Sequence, residues 1–129
     1  MRLSATDANR HAATPRTRYA FLTLPDYSMI ALANAIEPLR MANRVSGQSA
    51  YEWLVVSTDG EPVTASNGLM MTPTTRLADA PDVDMVFVCG GVNVREAVSP
   101  ALVNVLRRLA ARRMPLGALC TGGYALAQA

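Results

Sequence analysis

The stretch whose residue types and spacing best suit chemistry is Ala118-Leu119-Cys120-Thr121-Gly122: a small residue, any residue, a nucleophile, any residue, then glycine. This is the spacing of a nucleophile elbow, where a strand becomes a helix so abruptly that bulky neighbours two places away would collide. Pro115 to Leu119 supplies the strand, and Tyr124-Ala125-Leu126-Ala127 supplies a strong helix former. Cys120 would then stand at a helix N-terminus, where exposed amides and the helix dipole favour a thiolate, so a lowered thiol pKa is expected. A small cysteine packed after an apolar strand fits the same letters.

Two further groups can join Cys120. Gly90-Gly91 follows the apolar run Met85 to Cys89, and in an open α/β sheet that turn faces the carboxyl edge where ligands bind. Its amides, with that of Thr121, would form an oxyanion hole or receive a ligand carboxylate. Glu37 lies between Ile36 and Pro38, and if it points into the fold a protonated carboxyl can donate to the Cys120 thiolate; a helix glutamate more commonly faces water. Cys89, closing an apolar strand, reads as packing.

The bulk composition removes several classes. All 12 basic residues are arginine, which excludes a P-loop lysine, a Schiff base and a lysine general base from these residues. The single histidine, His11, lies in a polar leader, so residues 18–129 contain none to serve as a base. A net charge of +2 is too small for a nucleic-acid groove. No metal-ligand spacing or cysteine framework is present, no apolar run is long enough to span a bilayer, and no signal peptide opens the chain. The reading is one domain with two reduced thiols, no metal and no cofactor, at a cytoplasmic address.

The elements that must position these residues follow from periodicity. Residues 1–17 carry no hydrophobic period and read as a flexible arm; residues 18–129 form the domain. Tyr19 to Leu24 reads as a first strand, and Ser28 caps a helix from Met29 to about Arg44 whose apolar face includes Leu32, Ile36 and Leu39. Pro38 should kink that helix or end it early. Tyr51 to Ser57 is a second strand; Asn67-Gly68 marks a turn before Leu69 to Thr72, suggesting a hairpin. Met85 to Cys89 is a third strand. Ser99-Pro100 opens a helix carrying Leu102, Val103, Leu106 and Leu109, with Arg112 and Arg113 in its last turn. Strands alternating with helices imply an α/β fold: a doubly wound, mainly parallel sheet sandwiched by helices, as in flavodoxin. The last helix has no cap by Ala129 and no strand after it, so a domain truncated at its C-terminus is expected.

Glu37, Val88-Cys89-Gly90-Gly91 and Ala118-Leu119-Cys120-Thr121-Gly122 resemble the ThiJ/PfpI family of the class I glutamine amidotransferase-like superfamily. Glu37-Pro38-Leu39-Arg40-Met41-Ala42-Asn43, Ser66-Asn67-Gly68-Leu69, Phe87 to Gly91 and Gly117-Ala118-Leu119-Cys120-Thr121-Gly122 are similar, more closely, to the amino-terminal domain of GlxA-type regulators of the AraC family. The resemblance implies a non-catalytic, dimerising sensor of a small metabolite, with Gly90, Gly91, Cys120, Thr121 and Glu37 around the ligand. It implies DNA binding only through a helix-turn-helix region absent from this chain. Betaine, carnitine or arginine are effectors of some such regulators, an amine or amino-acid derivative is the class implied, and Tyr27, Trp53 and Tyr124 are the aromatics available to cage one. The alternative is a ThiJ/PfpI-type hydrolase or glyoxalase-like enzyme, with Cys120 as nucleophile and Glu37 as its acidic partner.

Overall fold

The structure, a computed structural model, describes residues 15–129. His11 and most of the predicted arm lie outside the described residues. The arm's end does not: Thr17 already opens strand β1 (Thr17–Thr23), and Arg16 Nη1 meets Glu52 Oε1 at 2.5 Å.

The remaining elements are helix α1 (Met29–Ser46), strands β2 (Tyr51–Ser57), β3 (Val63–Thr64), β4 (Met70–Met71), β5 (Thr75–Arg76) and β6 (Met85–Cys89), helices α2 (Val94–Ala97) and α3 (Pro100–Ala111), strand β7 (Leu116–Leu119) and helix α4 (Gly122–Gln128). A 3-10 turn, Leu77–Asp79, follows β5. Five strands form a parallel sheet in the order β5-β2-β1-β6-β7, and β3 pairs antiparallel with β4 around the Asn67-Gly68 turn. The predicted doubly wound α/β sheet is the one observed.

The apolar runs are continuous because both faces of the sheet are covered. Side chains alternate along each strand, so Ala20, Leu22, Leu54, Val56, Val86 and Val88 face Leu102, Leu106 and Ala125 of α3 and α4. Phe21, Phe87 and Cys89 face Leu32, Ile36 and Leu39 of α1. Burying one such Leu stabilises the fold by about 1.5–3 kcal/mol.

Ser28 caps α1 by accepting from the Ala31 amide at 3.3 Å, and Ser99 caps α3 in the same way through Leu102 at 3.1 Å. Pro38 does not end α1 early, one of the two outcomes expected of it: the helix runs on to Ser46. Pro38 and Asn34 both lie on the exposed side, where water can satisfy the carbonyl that the missing proline amide leaves unbonded. Helix α3 stops at Ala111, one residue before the predicted basic end. Arg113, at φ 60°, makes the left-handed turn, with its amide donating to the Ala110 carbonyl and that of Met114 to Leu109.

Candidate functional site at the carboxyl edge

The register of three neighbouring strands assembles the edge. Thr23 pairs with Cys89, and Cys89 with Leu119, so the next residues out, Leu24, Gly90 and Cys120, stand in a row. The amides of Leu24 and Gly90 extend the ladder to the carbonyls of Cys89 and Leu119, at 3.0 and 3.2 Å.

Beyond that row the backbone is unusual. Asp26, Asn93 and Cys120 have φ of 60°, 55° and 52°, one in each connection leaving β1, β6 and β7. Left-handed backbone at a non-glycine residue costs on the order of 1–3 kcal/mol, and such residues gather where function holds them. Cys120 therefore has the strained geometry expected of an elbow, and its thiol is exposed and unbridged.

The loops are tied to one another. Thr121 Oγ1 donates to the Gly91 carbonyl at 2.6 Å, the Ser28 amide to the Gly90 carbonyl at 2.9 Å, and Asn93 Nδ2 to Asp26 Oδ2 at 3.3 Å. The glycines are required by this closeness. A Cβ on Gly90 would lie 2.6 Å from the Gly122 amide nitrogen and 2.7 Å from Thr121 Oγ1, and one on Gly91 would overlap the Asp26 carbonyl oxygen. Gly122 has the same constraint against the Val88 carbonyl oxygen.

These contacts correct two sequence expectations. The Gly90 amide is bound to Leu119 and is not an open donor, so an anion hole here has only the neighbouring backbone to draw on. Glu37 is not at the edge. Helix α1 starts at the edge and runs back along the sheet, so Glu37, nine residues past Ser28, lies roughly 13 Å further down at 1.5 Å per residue. Its carboxylate is exposed and takes a 2.7 Å bond from Arg40 Nε, which holds it below the usual carboxylate range; the position in the first turn of α1 is Ile30.

The three candidate cage aromatics do not converge either. Tyr27 is fully buried and Trp53 half-buried on the α1 face, whereas Tyr124 lies on α4 with the Arg95 guanidinium 6.0 Å from its ring centre. Arg95 was missed because α2, which carries it, is four residues long and has no readable period. Cys89 is buried, as read from the sequence, and burial pushes its thiol up to about 12. Among the described residues, no three histidine, cysteine or acidic side chains gather as metal ligands.

A parallel five-stranded sheet with an exposed cysteine at a left-handed elbow over a double-glycine turn defines the class: residues 21–129 match the DJ-1/PfpI family, and the chain belongs to it. Within that family its relatives include regulators. It is 48% identical over 109 residues to the HTH-type transcriptional regulator GbdR of Pseudomonas aeruginosa, a match covering 84% of this chain and 30% of the regulator. The chain thus spans about a third of that relative's length. An AraC family transcriptional regulator from Pseudomonas putida superposes with a TM-score of 0.76 at 31% identity, over 88% of this chain and 70% of the other. Isonitrile hydratase of Pseudomonas putida is 29% identical, over 84% of this chain and 46% of the enzyme. The motif resemblance to AraC-type regulators is therefore matched by similarity over 109 residues, 84% of this chain. No helix among the described residues is long and apolar enough to cross a membrane.

Proposed function

We propose that this chain is the small-metabolite-sensing and dimerising part of an AraC-type transcriptional regulator acting in the cytoplasm, and that it does not catalyse a reaction. The 48% identity to an HTH-type regulator carries this reading. DNA would be bound by a helix-turn-helix part of the kind that relative's name describes. The effector, an amine or amino-acid derivative, is assigned to the carboxyl edge, at Gly91, Cys120 and Thr121. Glu37 is not included, because it lies further along α1, exposed and paired with Arg40.

One observation favours a second reading, a cysteine-dependent enzyme: Cys120 combines exposure with left-handed backbone, the state in which an elbow presents a nucleophile. Against it, residues 18–129 supply no histidine to activate that thiol. Replacing Cys120 by Ala in the protein at its natural length separates the two. Effector-dependent reporter activation that persists, with no hydrolase or glyoxalase turnover in either form, supports the sensor. Strong wild-type turnover that disappears in Cys120→Ala overturns it.

A further inference from the structure

A concavity lies away from the cysteine edge, on the α3 face of the sheet. It is a groove of about 520 Å³, within the roughly 300–1,000 Å³ usual for small-molecule sites. Leu77, Val83, Val86, Val105, Leu109 and Met114 give it an apolar interior, and Arg108, Arg112 and Asp82 supply its charge.

Both walls are fixed by hydrogen bonds rather than left to side-chain packing. On one, Arg18 and Asp84 exchange bonds, backbone amide to Asp84 Oδ2 at 2.7 Å and Asp84 amide to the Arg18 carbonyl at 2.8 Å, while Arg18 Nη1 reaches the Asp82 carbonyl at 3.2 Å. On the other, the left-handed turn at Arg113 brings the Met114 amide onto the Leu109 carbonyl at 3.0 Å, setting Leu109 and Met114 side by side in the lining.

The electrostatics select the occupant. Arg108 lies in the last turn of α3 and Arg112 is the residue that ends it, its amide donating to the Arg108 carbonyl at 3.2 Å, so the two are neighbours, and neither forms an ion pair among the described residues. Two guanidiniums against the single carboxylate of Asp82 leave one positive charge over an apolar interior. A guanidinium fork matches a carboxylate bidentately, and the interior favours an aliphatic body behind it. A peptide strand finds less here: β6, which supplies Val86, is hydrogen-bonded to β1 on one side and β7 on the other, so it offers no free edge.

We propose that this groove binds an aliphatic monocarboxylate, its carboxylate between Arg108 and Arg112 and its chain against Leu109 and Met114, independently of Cys120. The test uses the protein at its natural length with sodium octanoate, 1-octanol and octylamine as probes. Binding is followed by titration calorimetry and by the methyl resonance of Met114. Octanoate should bind and shift that resonance, with octanol and octylamine at least ten-fold weaker. Arg108→Gln/Arg112→Gln, two exposed positions, should weaken octanoate at least ten-fold, while Cys120→Ala should leave it unchanged. Absence of binding, equal binding of octanol, an unshifted Met114 methyl, or full affinity in the double variant each overturns the proposal. The Met114 readout comes from the unaltered protein and does not depend on whether the variant folds.

Discussion

Thr121 donates its hydroxyl to the Gly91 carbonyl at 2.6 Å, joining the turn after β7 to the turn after β6. The side chain best placed to cap α4 is thereby used across the edge instead, and α4 begins without a side-chain cap. The elbow is held to its neighbouring loop at the expense of its own helix, and Cys120 is presented between the two.

The two thiols should therefore react very differently. Cys120 is exposed, whereas Cys89 is buried against Phe21, Phe87 and Tyr27 with its thiol pushed up to about 12. Iodoacetamide at pH 8, followed by peptide mass spectrometry, should label Cys120 completely before Cys89 is detectable. Comparable rates at the two sites would remove the elbow from the argument.

Cys89 also sets an alkaline limit on stability. Its folded pKa is raised from 9.0 to about 12, so the folded state keeps a neutral thiol while the unfolded chain ionises. The contribution is full below about pH 9 and is lost as pH rises towards 12, with a slope approaching 1.4 kcal/mol per pH unit. Tyr27, raised by burial and then by Cys89, acts in the same direction. Urea melts of the wild type and Cys89→Ala between pH 8 and 11 should differ in slope; parallel pH profiles would show that the thiol is not the group responsible.

Tyr27 offers a separate test of the same core. Its hydroxyl is buried without a hydrogen-bond partner among the described residues. An unmet hydroxyl of this kind costs about 1–3 kcal/mol, so Tyr27→Phe should be neutral or stabilising by about 1 kcal/mol in chemical denaturation. A loss of more than about 1 kcal/mol would mean that the hydroxyl has a partner in solution.

How much of this was legible in the sequence depends on the range of the interaction. Strands Tyr51–Ser57 and Met85–Cys89 and the start of α3 at Pro100 could be read because continuous apolar runs and a Ser-Pro cap are local signals. β5 and α2 could not, since two and four residues carry no period and owe their form to the strand and helix beside them. The tight strand-to-helix turn at Cys120 was readable because its constraint lies within five residues. Glu37 misled for the opposite reason: the residues around it describe an interior position well, but whether a helix residue reaches an edge depends on its distance along the axis. The Gly90 amide was lost to the site through a partner, Leu119, that only the pairing of β6 with β7 supplies.

Arg113 should be replaceable with profit to the fold. It occupies the left-handed position after α3 at φ 60°, where an L-residue is disfavoured by roughly 1–2 kcal/mol and glycine is the usual choice. Arg113→Gly should stabilise by up to about 1 kcal/mol in urea, part of the relief being offset by the entropy of the more flexible unfolded chain. A net destabilisation would indicate that the arginine side chain contributes a stabilising contact.

The glycines of the edge give the sharpest contrast, because three of them fall in the same small region under different constraints. A Cβ on Gly122 would overlap the Val88 carbonyl oxygen and one on Gly91 the Asp26 carbonyl oxygen, backbone atoms that cannot rotate away. Gly123, one residue along, is exposed, lies within α4, and would bring a Cβ no nearer than 3.9 Å to Ala118. Gly122→Ala and Gly91→Ala should each destabilise by about 3 kcal/mol or more, since overpacking against backbone forces strands and loops apart. Gly123→Ala should instead stabilise by about 0.5–1 kcal/mol through helix propensity. Denaturant melts of the three variants, with Cys120 alkylation rates alongside, separate packing from presentation: Gly123→Ala should leave the rate unchanged, while Gly91→Ala should alter it by loosening the Thr121 tether. Equal stability of all three would mean that the turn after β6 and the elbow are not in the close contact on which the site depends.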